Sequence, residues 1–246
     1  MTPRITVYTV ILNAWDNLRP PAVVDDTCRY VCFTDQPRHC PPWEMQPAWL
    51  RYKDPHRNSR IPKILSHLHT ETEFSIYHDG CLQLARRPAT LIAEMLEDAD
   101  WAMYRHPCRQ NVYEEMVACK KLGIGYGSEM QAQVDRYRAA GLNGTSGLWS
   151  GGVIIRRRTD ETSAVNEAWW REYIDGCSRD QIAFPMARQI HDLKIHTIKH
   201  DILTHSGYFN FVWHGWATHK GDNPSFESAR QRESDRQRRL EELCPL

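Results

Sequence analysis

No sign of charge predominates in this chain of 246 residues. Its 31 lysines and arginines balance 31 aspartates and glutamates, so the formal net charge is zero. A dedicated nucleic-acid binder carries a basic excess or stripe, and that class is disfavoured. The balance still permits a local basic pocket for a diphosphate. No apolar run approaches the roughly 20 residues of a membrane span. Met-Thr-Pro-Arg runs straight into a strand-like segment and does not read as a secretory leader, so a cytoplasmic protein is expected. Eight cysteines stand at positions 28, 32, 40, 81, 108, 119, 177 and 244, with no Cys-x-x-Cys spacing. That excludes the usual zinc-site signature, and most are expected to be reduced and buried. Internal repeats and clear linkers are also lacking. One domain over residues 1–222 is expected, followed by a charged helix or disordered tail over residues 223–246.

The composition, 41% hydrophobic and 25% charged, is that of an ordinary globular protein. Apolar, β-branched runs predict strands at residues 4–12, 29–34, 48–52, 74–78, 101–105, 148–156 and 194–198. Helices are predicted from Asn58 or Ser59 to His69, and over residues 88–97, 111–122, 128–140 and 162–174. Another opens at Ser178. Ser128 with Gln131 reads as a capping box, with Gly141 as the stop. Strands alternating with helices imply an α/β sandwich around a mostly parallel sheet.

The most informative stretch is Ser75-Ile-Tyr-His-Asp-Gly-Cys-Leu-Gln-Leu84. Asp79 follows a buried strand, at the edge where open α/β sheets bind ligands. Gly80 lets the backbone turn and approach a ligand. The competing reading is an ordinary Asp-Gly hairpin turn. Arg60, Lys63 and His67 share one helix face. With Arg60 and Lys63 near the helix N-terminus, two cations and free N–H groups suit a diphosphate, against a solvated basic face. Arg109, after the strand ending at residue 105, is a candidate anion or sugar contact, whereas Glu114 is expected to cap a helix and Glu115 to be exposed. Trp149 and the pair Gly151-Gly152 either shape a sugar pocket or form a bulge beside a core tryptophan. Asp180 suits acceptor binding, general-base work or charge stabilisation. Alternatively, Ser178 and Gln181 make a capping box with Asp180 on the helix dipole. His205, His214, His219 and Lys220 lie among late aromatics, where one histidine can join Asp79 on a metal and Lys220 can meet a phosphate.

Taken together, these segments resemble a glycosyltransferase-like family first catalogued as a domain of unknown function, with plant members tied to mucilage and pectin synthesis. The matching blocks are Tyr30-Val-Cys-Phe-Thr-Asp35, Arg60 to Lys63, Ser75 to Gly80 with Leu82-Gln-Leu84, His106 to Arg109 with Val112 to Glu115, Gly151 to Arg156, and Ser178 to Gln181. The resemblance implies a GT-A-like, Rossmann-like fold: a mixed, mostly parallel sheet flanked by helices in a single domain. It implies that Thr9 and Asp35 hold the base of the donor, that Asp79 sits on the metal, and that Asp180 and Gln181 face the acceptor or the reacting carbon. His214 and Lys220 have the six-residue spacing of a histidine metal ligand and a phosphate-binding lysine in some retaining families.

The activity implied is transfer of a sugar from a nucleoside-diphosphate sugar, UDP-sugar favoured, to a glycan or other hydroxyl acceptor. The donor would be bound by Thr9, Asp35, Arg60, Lys63, Asp79 and Lys220. The substrate would be bound by Arg109, Trp149, Gly151 and Gly152. A divalent metal, Mn2+ or Mg2+, would be held by Asp79 and His214. The second acid of the usual Asp-x-Asp is replaced by Cys81, a departure from the pattern, because a thiolate suits those oxygen-seeking ions poorly. A metal-dependent hydrolase and a non-catalytic sugar- or nucleotide-binding module are the alternative readings.

Overall fold

Seven strands make the main sheet of the computed structural model, which describes residues 4–124, 127–198, 202–203 and 207–212. In chain order they are β1 (Ile5–Ile11), β2 (Arg29–Thr34), β3 (Glu44–Pro47), β4 (Phe74–His78), β6 (Trp101–Arg105), β7 (Trp149–Arg157) and β8 (Ile195–Ile198). β5 (Leu82–Leu84) and β9 (Phe209–Phe211) form a separate antiparallel pair. The helices are α1 (Pro55–Ile64), α2 (Pro88–Met95), α3 (Val112–Leu122), α4 (Gly127–Ala139), α5 (Asp160–Ile174) and α6 (Asp180–His191).

The strand order is β3-β2-β1-β4-β7-β6-β8. Every neighbouring pair is parallel except those made by β7, which runs against β4 and β6. This is the mixed, mostly parallel sheet expected. The chain leaves β1 for β2 on one side, and β4 is added on the other. The carboxyl ends of β1 and β4 therefore flank a topological switch point, where such sheets open a ligand crevice.

The sheet is covered on both faces, and β1 shows why. Alternate side chains of a strand point to opposite faces. Ile5, Val7 and Ile11 join a cluster with Leu91, Ile92 and Met95 of α2. Tyr8 and Val10 join one with α5 and α6 through Trp169, Tyr173, Phe184 and Ala187. A third cluster packs α3 and α4 against α6 through Met116, Val134, Tyr137 and Ile182.

Several local expectations are corrected. The third strand is Glu44–Pro47 and not residues 48–52. Helix α1 begins at Pro55, because Asp54 caps it by accepting the His56 N–H at 2.9 Å. Asn58 instead lies inside the helix and turns back: its Oδ1 accepts the N–H groups of Arg51 and Tyr52, and its Nδ2 donates to the Tyr52 carbonyl. Pro62 is consequently near the helix end. Ser128 does not cap α4, which already includes it, and Gln131 instead binds Lys120 and Asp135. Nor does Ser178 cap α6, whose N-cap is Arg179 with no side-chain capping bond. Gly141, at φ +82°, does stop the chain after α4. Cys28, Cys32, Cys40, Cys81, Cys119 and Cys177 are free, all but Cys40 buried, whereas Cys108 is disulfide-bonded. Among the described residues no helix is long and apolar enough to cross a membrane. The tail expected over residues 223–246 lies outside the described residues.

Candidate active site

Asp79 stands one residue beyond β4, in a turn closed by the Leu82 N–H donating to the Asp79 carbonyl at 3.0 Å. The turn does not make a hairpin within the main sheet, since β5 pairs with β9. The Asp79 N–H donates to the Gly152 carbonyl at 2.8 Å, tying the turn to β7. Its Oδ1 accepts the Tyr77 hydroxyl at 2.5 Å and lies 3.6 Å from Lys63 Nζ. The side chain is 36% exposed, so it can meet a ligand. Burial pushes its pKa up, but Lys63, Arg60 and the Tyr77 hydroxyl outweigh that and hold it below the usual carboxylate value. Asp79 is therefore ionised at neutral pH.

The second acid is Asp180, the first residue of α6. The sequence also offers it as a helix-dipole residue, yet it is buried. Its Oδ2 lies 2.7 Å from Lys63 Nζ and 3.5 Å from Arg60 Nε. Burial alone would raise its pKa, and Lys63 followed by Arg60 drives it far below the usual range instead. Lys63 thus bridges both acids. Arg60 and Lys63 lie in the middle and last turn of α1, not at its N-terminus. The expectation of cations beside free helix N–H groups is corrected accordingly. The side chains are paired with acids and are 18% and 2% exposed. His67 falls in the 3-10 turn after α1, where Asn166 lies 3.2 Å from its Nδ1.

Gly151 and Gly152 explain how these groups come so close. The pairing of β6 with β7 jumps from Met103–Ile154 to Tyr104–Ser150, so β7 bulges at the glycines. A Cβ on Gly151 would lie 3.1 Å from Lys63 Nζ and 3.3 Å from Asp180 Oδ2. One on Gly152 would meet Ile202 at 2.8 Å and Asp79 Oδ2 at 3.5 Å. The bulge therefore leaves only backbone between the strand and both acids. Trp149 takes the core alternative: its ring packs edge-on against Phe184 at 5.8 Å and belongs to the buried cluster. Gln181 is buried and faces the Trp149 carbonyl, 3.5 Å away.

The remaining predicted residues are placed elsewhere. Thr9 is fully buried within β1, and its hydroxyl has no hydrogen-bond partner among the described residues. Asp35 follows β2 and accepts the Asn13 N–H on both oxygens, at 3.0 and 3.1 Å. That closes a loop in which Asn13 and Ala14 take positive φ. His205, His214, His219 and Lys220 lie outside the described residues.

Arg109 is buried in an ion pair with Glu115. Glu115 is corrected from exposed to fully buried. It also accepts from Arg179 Nε at 2.8 Å and from the Cys119 thiol at 3.4 Å. Burial would raise its pKa, yet Arg179, His106 and Arg109 bring it down to about 2. This cluster locks α3 to the residue preceding Asp180. Glu114, as expected, is a terminal helix contact, accepting the Gln110 N–H at 2.7 Å.

Three contributors escaped sequence reasoning. Tyr77 is read from its strand as a core residue, yet its hydroxyl orients Asp79. Arg156, buried between Trp101 and Trp169, donates to the Lys63 carbonyl at 3.0 Å and so fixes the end of α1. Asp16, in the loop after β1, packs so tightly on Gly80 that a Cβ there would sit 2.7 Å from its Oδ2. Only glycine at position 80 admits it. No spacing rule connects Asp16 with Asp79, 63 residues later.

The described residues do not complete a divalent-cation site. They contain no group of three or more His, Cys, Asp or Glu that could hold an ion. Burial, then the charges of Asp79 and Asp16, push the Cys81 thiol well above its ordinary value, so it remains protonated. Asp79 supplies a carboxylate of the right chemistry, but among the described residues it belongs to no group of three such side chains, too few for a divalent ion.

A family model described as TOD1/MUCI70, glycosyltransferase-like domain, matches residues 47–212. The span takes in Arg60, Lys63, Asp79, the glycine bulge and Asp180, and omits β1 and β2. Among curated proteins, the Arabidopsis thaliana protein called probable hexosyltransferase MUCI70 is 31% identical over 150 residues. That alignment covers 56% of this chain and 26% of the relative. The Arabidopsis thaliana protein called alkaline ceramidase TOD1 is 31% identical over 155 residues, covering 56% of this chain and 32% of the relative. The chain thus spans about a quarter to a third of these relatives. Among solved structures, mouse xyloside xylosyltransferase 1 is 12% identical, with a TM-score of 0.47, covering 78% of this chain and 84% of that one.

Proposed function

The chain belongs to the TOD1/MUCI70 glycosyltransferase-like family, and from that premise we propose that it moves a sugar from a nucleoside-diphosphate sugar, UDP-sugar favoured, to a hydroxyl acceptor. The observation that carries the reading is the pair of ionised acids, Asp79 and Asp180, joined by Lys63 at the carboxyl edge of the sheet. Glycosyl transfer passes through an oxocarbenium-like centre, which a fixed carboxylate stabilises. Asp180 is assigned that role: it stands against the Gly151 backbone, where a Cβ would lie 3.3 Å from its Oδ2. Asp79 has one oxygen engaged by Tyr77 and Lys63, which leaves Oδ2 for the ligand. Lys63 and Arg60 are assigned first to holding both acids ionised. Lys220 is assigned to the diphosphate. A divalent metal, when bound, would supply Lewis-acid assistance to diphosphate departure. Since the described residues do not complete its site, no step here depends on it.

Thermal-shift titration with nucleoside diphosphates and nucleotide-sugars, with and without Mn2+, tests the donor assignment. A ligand at a hundredfold excess over Kd stabilises by about 2.7 kcal/mol. A shift confined to one base supports the reading and names the nucleotide, and dependence on Mn2+ bears on the metal. No shift with any nucleotide at concentrations above millimolar Kd would remove it. A hydrolase is the second reading, favoured by the relative called an alkaline ceramidase at the same 31% identity. It predicts cleavage of a substrate with no nucleotide-sugar present.

A further inference from the structure

Near the end of helix α5 the adjacent Trp169 and Trp170 face different ways. Trp169 points inward and donates from Nε1 to the Asp180 carbonyl at 2.9 Å, so it serves the core and the start of α6. Trp170 instead is only partly buried. Tyr173, three residues on, shares its side of the helix, and their ring centroids are 5.6 Å apart. Tyr52, from the segment before α1, brings its ring to 6.3 Å from Trp170. Neither pair is stacked face to face, the interplanar angles being 39° and 51°. The row leads to the acids. The Tyr173 hydroxyl lies 3.5 Å from His56 Nδ1, His56 is one turn from Arg60 on α1, and Arg60 meets Asp180.

The segment carrying Tyr52 is held in place. Asn58, 3% exposed, makes three hydrogen bonds to the backbone of Arg51 and Tyr52, at 2.8 to 2.9 Å. A buried asparagine spent on pinning an otherwise irregular segment fixes a ring in advance, which lowers the entropic cost of binding. His56 is exposed beside it and neutral, because the charge of Arg60 holds its pKa far below the imidazole range. A neutral imidazole both donates and accepts hydrogen bonds, as a hydroxyl-rich ligand requires.

We propose that Tyr52, Trp170 and His56 form an acceptor subsite for an oligosaccharide, whose apolar sugar faces rest on the two rings while its reacting end lies toward Asp180. The inference deepens the sugar-transfer reading and rests on it. Half-buried aromatic rings beside a polar tip suit a ligand that is apolar on its faces and polar at its edge. Continuity with the Arg60–Asp180 pair favours the acceptor, since the donor's base is assigned to the other side of the crevice, near β1 and β2.

The full chain is titrated with neutral and uronic-acid hexasaccharides, followed by tryptophan fluorescence, with the nucleotide thermal shift measured in parallel. We expect saturable binding of a hexasaccharide. Trp170→Ala and Tyr52→Ala should each weaken it roughly tenfold, the scale of one lost aromatic contact. Trp170→Phe should restore part of it. The nucleotide shift should be unchanged in all three, which also shows that they fold. Hexasaccharide binding that is equal in wild type and both alanine variants overturns the subsite. So does a protein that shifts with a nucleotide yet binds no hexasaccharide, and in that case the transfer reading stands without it. Hexasaccharide binding that depends on Tyr52 and Trp170 but comes with no nucleotide shift keeps the subsite and removes the transferase. A protein that binds neither ligand loses both.

Discussion

Asp79 and Asp180 are acids that burial should keep protonated, and both are ionised because one ammonium and one guanidinium stand against them. Two cations and two anions sum to no net charge, which allows the cluster to be buried. The same arithmetic applies to Glu115, where removal of the negative charge leaves Arg109 and Arg179 facing each other. Breaking a buried pair on one side costs about 3–5 kcal/mol. Glu115→Gln is therefore expected to destabilise by that amount in urea unfolding. A cost under about 1 kcal/mol would mean that the arginines find solvent instead. Glu115 touches no reacting group in this account, so its loss should be one of stability before chemistry.

The bulge of β7 is the element on which the site depends. Gly151→Ala puts a methyl 3.1 Å from Lys63 Nζ, tighter than ordinary contact. The methyl also stands 3.3 Å from Asp180 Oδ2, so the Lys63–Asp180 pair must give way. We expect the variant to fold, with sugar transfer reduced about tenfold or more, since small misplacements of positioned groups cost up to about a hundredfold. Unchanged turnover would show that the close approach is incidental. The glycine pair was legible in the sequence as either pocket or bulge, and it is a bulge that serves the pocket. Strands β1, β2, β4 and β6 were legible because burial on both faces makes them continuously apolar. The start of α1 was not, because Asn58 looks like a cap while it pins the preceding segment, and Asp54 had no visible claim over it. That shift of four residues moved Arg60 and Lys63 from the helix start to its end, and so changed their role from free cations to counter-ions. Asp180 was visible as an acid, but its partners come from α1, about 120 residues earlier, and only the fold brings them together. Asp16 carries no local pattern, and Arg156, though it closes the block from Gly151, has no neighbour in sequence that points to Lys63.

For the whole molecule, pH is the simplest lever. Burial pushes His69 and His106 down to about 4, from an ordinary 6.5. The unfolded chain accepts those protons at about pH 6.5, and the folded chain refuses them. Their contribution is therefore complete above about pH 6.5 and lost as pH falls toward 4. Glu115, depressed to about 2, extends the loss from about pH 4.5 downward. The melting temperature should thus decline steadily between pH 7 and 4.5. A flat profile there would contradict histidines held neutral by the fold. A narrower proposal is that the ionised Asp79 at the switch point takes part in moving a sugar. It is tested most directly by nucleoside-diphosphate release from the matching nucleotide-sugar, for the wild type and for Asp79→Asn with its fold verified. The expected result is a loss of about a hundredfold or more, the scale of removing one preorganised electrostatic group. Turnover retained in a folded Asp79→Asn protein would contradict it.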